Sequence, residues 1–216
     1  MGDSFPIEMK QGGKGVKKKM KALLISSSPR REESQTFLLA KEVLRGLTDQ
    51  GIKTEIIHLS EHHIDFCRHC EECHTKMLHC SIKDSTPAIL DKMLEADGII
   101  LASPNYINQV TASMKALFDR SSHFIHCKRL LGKYIAGVVT SGSGNDKEVL
   151  NYIRYYGHAC GAQYAGGVSS CALAVDDKIK EEAYQLGKAL TQDIKDKEVF
   201  ADQIKIIEAG REHFKR

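Results

Sequence analysis

The 216-residue chain predicts an α/β fold: an open five-stranded parallel sheet covered by helices on both faces. Short, continuously apolar runs of strand length alternate five times with longer segments whose apolar residues recur at helical spacing. Such alternation implies right-handed crossover connections and parallel strands. A hydrophobic content of 42% is enough for one large domain with a core of its own.

The predicted strands are apolar runs that end in polar or glycine-rich turns, as expected of strands buried on both faces of a sheet. The clearest central strand is Gly98-Ile-Ile-Leu-Ala102, and the last strand is interrupted by Gly166-Gly167. In chain order the predicted strands cover residues 22–27, 54–59, 98–102, 133–139 and 162–170.

Each predicted strand is followed by a segment with helical periodicity. The first helix is stopped by Asp49-Gln50-Gly51, and the second ends before Asp97-Gly98. The predicted helices cover 37–47, 87–96, 112–121, 147–160 and 178–196, with a further helix or arm at 200–214.

These elements predict a single domain over residues 21–196, with a cysteine loop at 60–83. Residues 1–20 are expected to form a flexible basic arm, and residues 197–216 a C-terminal helix or arm.

No apolar stretch suggests a signal peptide or a membrane span. The net charge of +3 is spread along the chain, so no nucleic-acid partner is expected. Seven cysteines, four of them clustered, favour a reducing, cytoplasmic location.

The clustered cysteines are spaced two, two and six residues apart. Thiolates at this density favour a metal centre. Because histidines are interleaved with the cysteines, zinc remains an alternative occupant. The longer last spacing lets the chain turn back, so that four thiolates reach one compact cluster, whereas structural zinc sites more often pair two distant knuckles. A [4Fe–4S] cluster is therefore favoured over zinc and over free thiols; its predicted ligands are Cys67, Cys70, Cys73 and Cys80.

The loop after the first strand has the composition of an anion site. Hydroxyl groups lead directly into a helix N-terminus, where main-chain N–H groups and the helix dipole favour a phosphate. The loop has neither the P-loop pattern nor the Gly-x-Gly-x-x-Gly fingerprint, which disfavours nucleoside triphosphates and dinucleotides. The predicted phosphate-binding residues are Ser26, Ser28, Arg30, Ser34, Gln35 and Thr36.

Two further loops are suited to a flat heteroaromatic ring. One supplies a rigid turn, an amide and an aromatic face, and the other supplies exposed backbone that glycine permits to approach closely. All three loops follow strands, so they meet at the carboxyl edge of the sheet, where flavin mononucleotide (FMN) is predicted to bind. The residues predicted to border the ring are Pro104, Asn105, Tyr106, Thr140, Ser141, Gly142, Ser143 and Gly144.

Three runs resemble the NAD(P)H-dependent FMN reductase branch of the flavodoxin-like fold: Ser-Pro-Arg-x-x-x-Ser-Gln-Thr at 28–36, Ala-Asp-Gly-Ile-Ile-Leu-Ala-Ser-Pro-Asn-Tyr at 96–106, and Ser-Met-Lys-Ala-Leu-Phe-Asp-Arg at 113–120. With the cysteine loop, the stretch 21–190 is similar to the iron–sulfur flavoproteins of that branch. The resemblance implies strand order 2-1-3-4-5, FMN, a [4Fe–4S] cluster and a flavin-dependent oxidoreductase. It also implies that Ile107 and Asn108 border the flavin ring. It further implies a homodimer or dimer of dimers, and a redox donor such as ferredoxin or NAD(P)H.

Two alternatives remain open at this point. One is an NAD(P)H-dependent FMN or quinone reductase whose thiols are empty or hold zinc, and the other is a zinc-stabilised interaction module without catalysis. No acid–base or nucleophile constellation stands out, so no catalytic side chain is assigned.

The three isolated cysteines are expected to pack as small apolar side chains; they are Cys127, Cys160 and Cys171. Two histidines, His123 and His126, are expected to face solvent.

Overall fold

The computed structural model describes residues 19–76, 80–171 and 174–214. The predicted N-terminal arm therefore lies outside the described residues except for Lys19 and Met20. The strands are β1 (Lys21–Ser26), β2 (Lys53–His58), β3 (Gly98–Pro104), β4 (Tyr134–Thr140) and β5 (Gln163–Ser170). All pairs are parallel, in the order β2-β1-β3-β4-β5. The predicted flavodoxin-like fold class is confirmed, as is the cysteine-rich loop after the second strand.

Helices cover both faces of the sheet. One face packs against α1 and α7, and the other against α3, α4, α5 and α6, which divides the core into two apolar layers. No helix among the described residues has both the length and the apolar character needed to cross a bilayer. The helices are α1 (Gln35–Thr48), α2 (Glu72–Thr75), α3 (Thr86–Glu95), α4 (Ala112–Arg120), α5 (Ser122–His126), α6 (Asp146–Ala159), α7 (Asp177–Asp196) and α8 (Ala201–Phe214).

Two short helices were not predicted. The four-residue α2 lies inside the cysteine loop, and α5 follows α4 after a single residue, Ser121. Neither is long enough to show a helical repeat of apolar residues. The turn of α5 buries His123 beside Phe124, so the expectation that His123 faces solvent was wrong. Its burial lowers the pKa of the His123 imidazole.

The three isolated cysteines do not behave alike. Cys160, the C-cap residue of α6, is fully buried, and this burial raises its pKa to about 12, so it packs as the predicted apolar side chain. Cys127 and Cys171 are exposed, and the prediction was wrong for both. All three cysteines directly follow the last residue of a regular element, but of the three only Cys160 packs into a core cluster.

Helices α1 and α7 cross with their backbones in contact at two glycines. A Cβ atom added at Gly46 would overlap the carbonyl oxygen of Tyr184, and one added at Gly187 would overlap the carbonyl oxygen of Val43. We expect Gly46→Ala to lower the free energy of unfolding by at least about 2 kcal/mol, because backbone cannot yield as a side chain can. Urea denaturation followed by circular dichroism measures this.

Gly157→Ala is the matched control, since Gly157 also lies inside a helix. The three atoms nearest to its added Cβ all belong to the side chain of Ile135, and the closest lies 3.3 Å away. The control is expected to change stability by less than about 1 kcal/mol, as helix propensity partly offsets the contact. Equal losses in both variants would contradict the proposed backbone contact.

Candidate cofactor site

A cleft of about 230 Å³ opens at the carboxyl edge of the sheet, between the loops that follow β1, β3 and β4. Every residue that lines it was predicted from the sequence to bind phosphate or flavin. The structure thus brings three segments that are far apart in the chain to one concave site. The lining residues are Ser28, Arg30, Ser34, Gln35, Thr36, Pro104, Asn105, Tyr106, Thr140, Ser141 and Gly142.

Five predicted residues lie beside this lining rather than in it. Ser26 is fully buried at the end of β1, where its hydroxyl finds no hydrogen-bond partner among the described residues. Ile107 and Asn108 form the tip of the β3 loop, and Ser143 and Gly144 continue the β4 loop past the cleft wall. Their part in cofactor binding stays a prediction.

The β1 loop delivers the N-terminus of α1 to the cleft. Ser34 caps the helix by accepting a hydrogen bond from the main-chain N–H of Phe37 (3.4 Å). The hydroxyls of Thr36 and Thr140 lie 2.5 Å apart and join α1 to the end of β4. Arg30 is exposed beside the cleft and forms no ion pair with a described residue. Helix dipole, hydroxyls and an available guanidinium therefore converge on one end of the site.

Asn105 ties the other two loops together. Its main-chain N–H donates to the carbonyl of Thr140 (2.8 Å), and its side-chain Nδ2 donates to Ser141 Oγ (3.1 Å) and to the carbonyl of Gly144 (2.8 Å). The Oδ1 atom of Asn105 is buried and accepts no hydrogen bond from a described residue. A buried acceptor without a donor is uncommon, and it suits a ligand with an N–H group at its edge, as a flavin ring has.

The rim of the cleft carries a strained turn that sequence patterns did not indicate. Tyr106 and Gln109 exchange two main-chain hydrogen bonds (2.9 and 3.2 Å), so Ile107 and Asn108 form a two-residue turn with φ values of 51° and 58°. A β-branched residue at positive φ is an outlier, and such strain is typical of ligand-binding loops. The side chain of Ile107 is 99% exposed. Asn145 Nδ2 holds the turn by donating to Asn108 Oδ1 (2.8 Å).

The cysteine segment, residues 66–83, leaves the sheet after β2 and a short 3-10 turn at Leu59–Glu61. Cys67 and Cys70 are exposed, and Cys73 and Cys80 are half-buried. The main-chain N–H of Glu72 and the Ser81 hydroxyl lower the pKa of the Cys70 thiol. Burial raises the pKa of Cys73, and the charges of nearby Cys80 and Cys67 raise it further. Three of the four thiols are thus close enough to interact electrostatically.

Cys73 and Cys80 contact residues of α5 and α4 rather than residues that line the cleft. Cys73 Sγ lies 4.0 Å from Ser122 Oγ, and the ring of His74 lies 4.6 Å from that of His126. Among the described residues, which omit 77–79, no group of three His, Cys, Asp or Glu side chains is arranged to hold a single metal ion. The donor set itself, four thiols on one segment, is what a cluster with four cysteine ligands requires.

The segment is anchored at both ends by residues that sequence reasoning missed. Asp84 Oδ2 accepts from the main-chain N–H of Asp65 (2.8 Å), and Ser85 N–H donates to the carbonyl of His63 (3.0 Å). Arg120, at the end of α4, pairs with Asp84 and donates to Cys80 Sγ (3.4 Å). Asp84 directly follows the cysteine loop, but nothing in the local sequence marks Arg120, 36 residues later, as its partner.

Fold and cleft together define a flavodoxin-like domain with a concave site at the carboxyl edge of its sheet. The family model for NADPH-dependent FMN reductase matches residues 20–174. The chain therefore belongs to the NADPH-dependent FMN reductase family.

Several relatives are iron–sulfur flavoproteins of archaea. One from Archaeoglobus fulgidus is 33% identical over 177 residues, which cover 80% of each chain. Another, from Methanocaldococcus jannaschii, is 45% identical over 102 residues, which cover 47% of this chain and 52% of that protein. The chain thus spans about half the length of this second relative.

Solved structures agree on the fold. A flavone reductase superposes with a TM-score of 0.64 at 22% identity, covering 82% of this chain and 64% of the other. A flavodoxin from the domain Archaea gives a TM-score of 0.55 at 18% identity, with coverage of 82% and 99%. At these identities the likeness concerns the fold alone.

Proposed function

We propose that this chain is an iron–sulfur flavoprotein that binds FMN in the cleft and a [4Fe–4S] cluster on Cys67, Cys70, Cys73 and Cys80, and that it transfers electrons between the two. The observation that carries the proposal is the combination, in one FMN reductase domain, of a complete three-loop cleft with a four-thiol segment. Bound FMN supplies one- or two-electron exchange, and the cluster supplies one-electron exchange.

The phosphate end of the cleft is formed by the β1 loop. Ser28, Ser34 and Thr36 present hydroxyl groups beside the first turn of α1, and Arg30 provides a charge. These groups suit a phosphate dianion, because main-chain N–H groups at a helix N-terminus and a guanidinium both favour negative charge. The residues that line the cleft include no carboxylate. The positive potential of the helix N-terminus and of Arg30 is therefore not neutralised and can attract the phosphate.

The ring end of the cleft is formed by the β3 and β4 loops. Tyr106, 48% exposed, offers an aromatic wall, and the buried Oδ1 of Asn105 is available to accept from a ring N–H. The hydrogen bonds from Asn105 to Ser141 and Gly144 fix that acceptor in place before any ligand arrives. Such preorganisation lowers the cost of binding.

Asn105→Asp is expected to weaken FMN binding about 10- to 100-fold, because it removes the donors to Ser141 and Gly144 and sets a carboxylate against a carbonyl. Fluorescence titration of the apoprotein with FMN gives the Kd. Asn151→Asp is the control, since Asn151 is exposed on α6 away from the cleft; its Kd should match that of the unsubstituted protein. An unchanged Kd in Asn105→Asp would remove this residue from the site.

The donor of electrons is proposed to be a ferredoxin or NAD(P)H, and the assembly a homodimer or dimer of dimers. Nearly complete exposure of Ile107 at the cleft rim supports a partner at this face, because a large apolar side chain gains from being covered. No contact with a second chain is assigned.

The function is tested by reconstituting the protein anaerobically with FMN, iron and sulfide, then adding NADPH or reduced ferredoxin in separate samples. Bleaching of the flavin band together with the cluster band is the expected result with at least one donor. If the flavin band bleaches in a sample that contains iron but the cluster band does not change, electron transfer between the two groups is contradicted.

The second candidate is an NAD(P)H-dependent FMN or quinone reductase without a cluster. It is favoured by the family match itself. Steady-state reduction of a quinone by NADPH distinguishes the two. A turnover rate that does not change between iron-free and reconstituted protein would favour this second candidate.

A further inference from the structure

The best-buried ion pair in the described structure lies under the cysteine segment, outside the cleft. The side chains of Arg120 and Asp84 are both 0% exposed. Burying two charges is costly unless geometry and extra hydrogen bonds compensate. The carboxylate is compensated, since Asp84 also accepts from the main-chain N–H groups of Asp65 (2.8 Å) and Thr86 (2.8 Å). The guanidinium uses both of its Nη atoms, whereas its buried Nε has no partner among the described residues.

The guanidinium of Arg120 spans the two ends of the cysteine segment. Nη1 donates to the carbonyl of Asp65 (3.0 Å), just before the first cysteine. Nη2 donates to the carbonyl of Ile82 (3.4 Å), just after the last one, and to Cys80 Sγ (3.4 Å). One side chain on a rigid helix thus closes the segment and donates a hydrogen bond to a thiol sulfur.

The Arg120 cation is permanent in this environment. Burial opposes its charge, but Asp84 outweighs that effect and the pKa of Arg120 is raised. Burial likewise works against the carboxylate, yet Arg120 and the two main-chain N–H groups bring the pKa of Asp84 down to about 2. Arg120 therefore stays charged and able to donate to Cys80 Sγ over the pH range used in experiments.

We propose that Arg120 is a positioning residue that closes the cysteine segment and, by donating to Cys80 Sγ, raises the reduction potential of the cluster. The effect on the reduction potential rests on the proposed cluster. A donor to a ligating sulfur stabilises the more negative, reduced state, and hydrogen bonds to sulfur are among the main determinants of cluster potential. Being buried, this cation is screened by water far less than an exposed one.

The charge effect is tested by two substitutions with opposite expected signs. Arg120→Gln removes the cation and should lower the midpoint potential of the reconstituted cluster. Asp84→Asn removes the counter-charge but keeps the donor, and should raise it. Arg129→Gln is the control, because Arg129 is exposed near Cys80 and its charge is screened; it should leave the potential almost unchanged. Shifts of the same sign in the first two variants would overturn the electrostatic role.

The closing role is tested on the apoprotein by limited trypsin digestion. Arg68 and Lys76 lie inside the segment, and their cleavage should be at least tenfold faster in Arg120→Gln than in the unsubstituted apoprotein or in Arg129→Gln. Circular dichroism checks that the rest of the fold is kept. An unchanged cleavage rate would overturn the closing role. A protein that never takes up iron would contradict the proposed cluster and the potential effect, while the cleavage rates would still decide the closing role.

Arg120→Gln leaves a buried carboxylate unpaired and is at risk of unfolding. The double variant Arg120→Met with Asp84→Leu replaces the pair by apolar side chains, and such replacements are often neutral or stabilising. We expect it to fold and to be cleaved rapidly at Arg68 and Lys76. Its potential should fall less than that of Arg120→Gln, because loss of the donor and loss of the counter-charge act in opposite directions. A folded double variant with an unchanged cleavage rate would overturn the closing role.

Discussion

Serine in place of both Cys70 and Cys73 is expected to abolish iron binding while leaving FMN bound with unchanged affinity. The two thiols belong to the segment that packs on α4 and α5, and neither lines the cleft. A cluster with four cysteine ligands does not survive the loss of two. Iron and sulfide analysis of the reconstituted protein measures the first effect, and flavin fluorescence the second.

Cys127→Ser is a stringent control for this experiment, because Cys127 is an exposed thiol at the end of α5, the helix that the segment packs against. It should retain full iron content. Loss of iron in the control, or its retention in the double serine variant, would show that the cluster ligands are assigned wrongly. Loss of FMN in the double variant would show that the two sites are not independent.

Ser28→Asp is expected to weaken FMN binding about 100-fold or more. Ser28 is 3% exposed and lines the cleft at the end of β1, beside the N-terminus of α1. A carboxylate there would repel a phosphate dianion by a few kcal/mol at the effective dielectric constant of about 20 that suits protein sites. The Kd from titration of apoprotein with FMN tests this, and riboflavin, which lacks the phosphate, should lose much less affinity.

Thr48→Asp provides the same chemical change at the opposite end of helix α1. Thr48 is exposed and lies at the far edge of the sheet. Its Kd for FMN should stay within about twofold of the unsubstituted value, because exposed charges beyond a Debye length are screened. Equal losses for FMN and riboflavin in Ser28→Asp would indicate a distorted loop rather than a phosphate site.

Sequence periodicity predicted the sheet well because parallel strands are short apolar runs bounded by turns. The run 98–102 lies within β3, the central strand, and the alternation with helices gave the number of strands. The order β2-β1-β3-β4-β5 came from the resemblance, since periodicity does not say which strands are neighbours. The close crossing of α1 and α7 at Gly46 and Gly187 was not predictable, because it depends on two glycines 141 residues apart.

The cleft residues could be found because cofactor-binding loops sit directly after strands, where topology brings them together. The internal architecture of the cysteine segment could not. Helix α2 is too short to show a periodic pattern of apolar residues. The buried pair of Arg120 and Asp84 joins two distant parts of the chain, and nothing in the sequence around either residue indicates it. No sequence pattern indicated that Cys80 contacts α4 and Cys73 contacts α5, so the position of the thiols relative to the cleft could be seen only in the structure.

The most direct test of the central claim is a visible spectrum with iron, sulfide and flavin quantitation on one anaerobically purified sample. We expect a brown protein with about one FMN and four iron atoms per chain, the stoichiometry of a single [4Fe–4S] cluster. A yellow protein that holds FMN but no iron, before and after reconstitution, would contradict the iron–sulfur half of the proposed function. A colourless protein that does not take up FMN would contradict the proposed cofactor cleft as well.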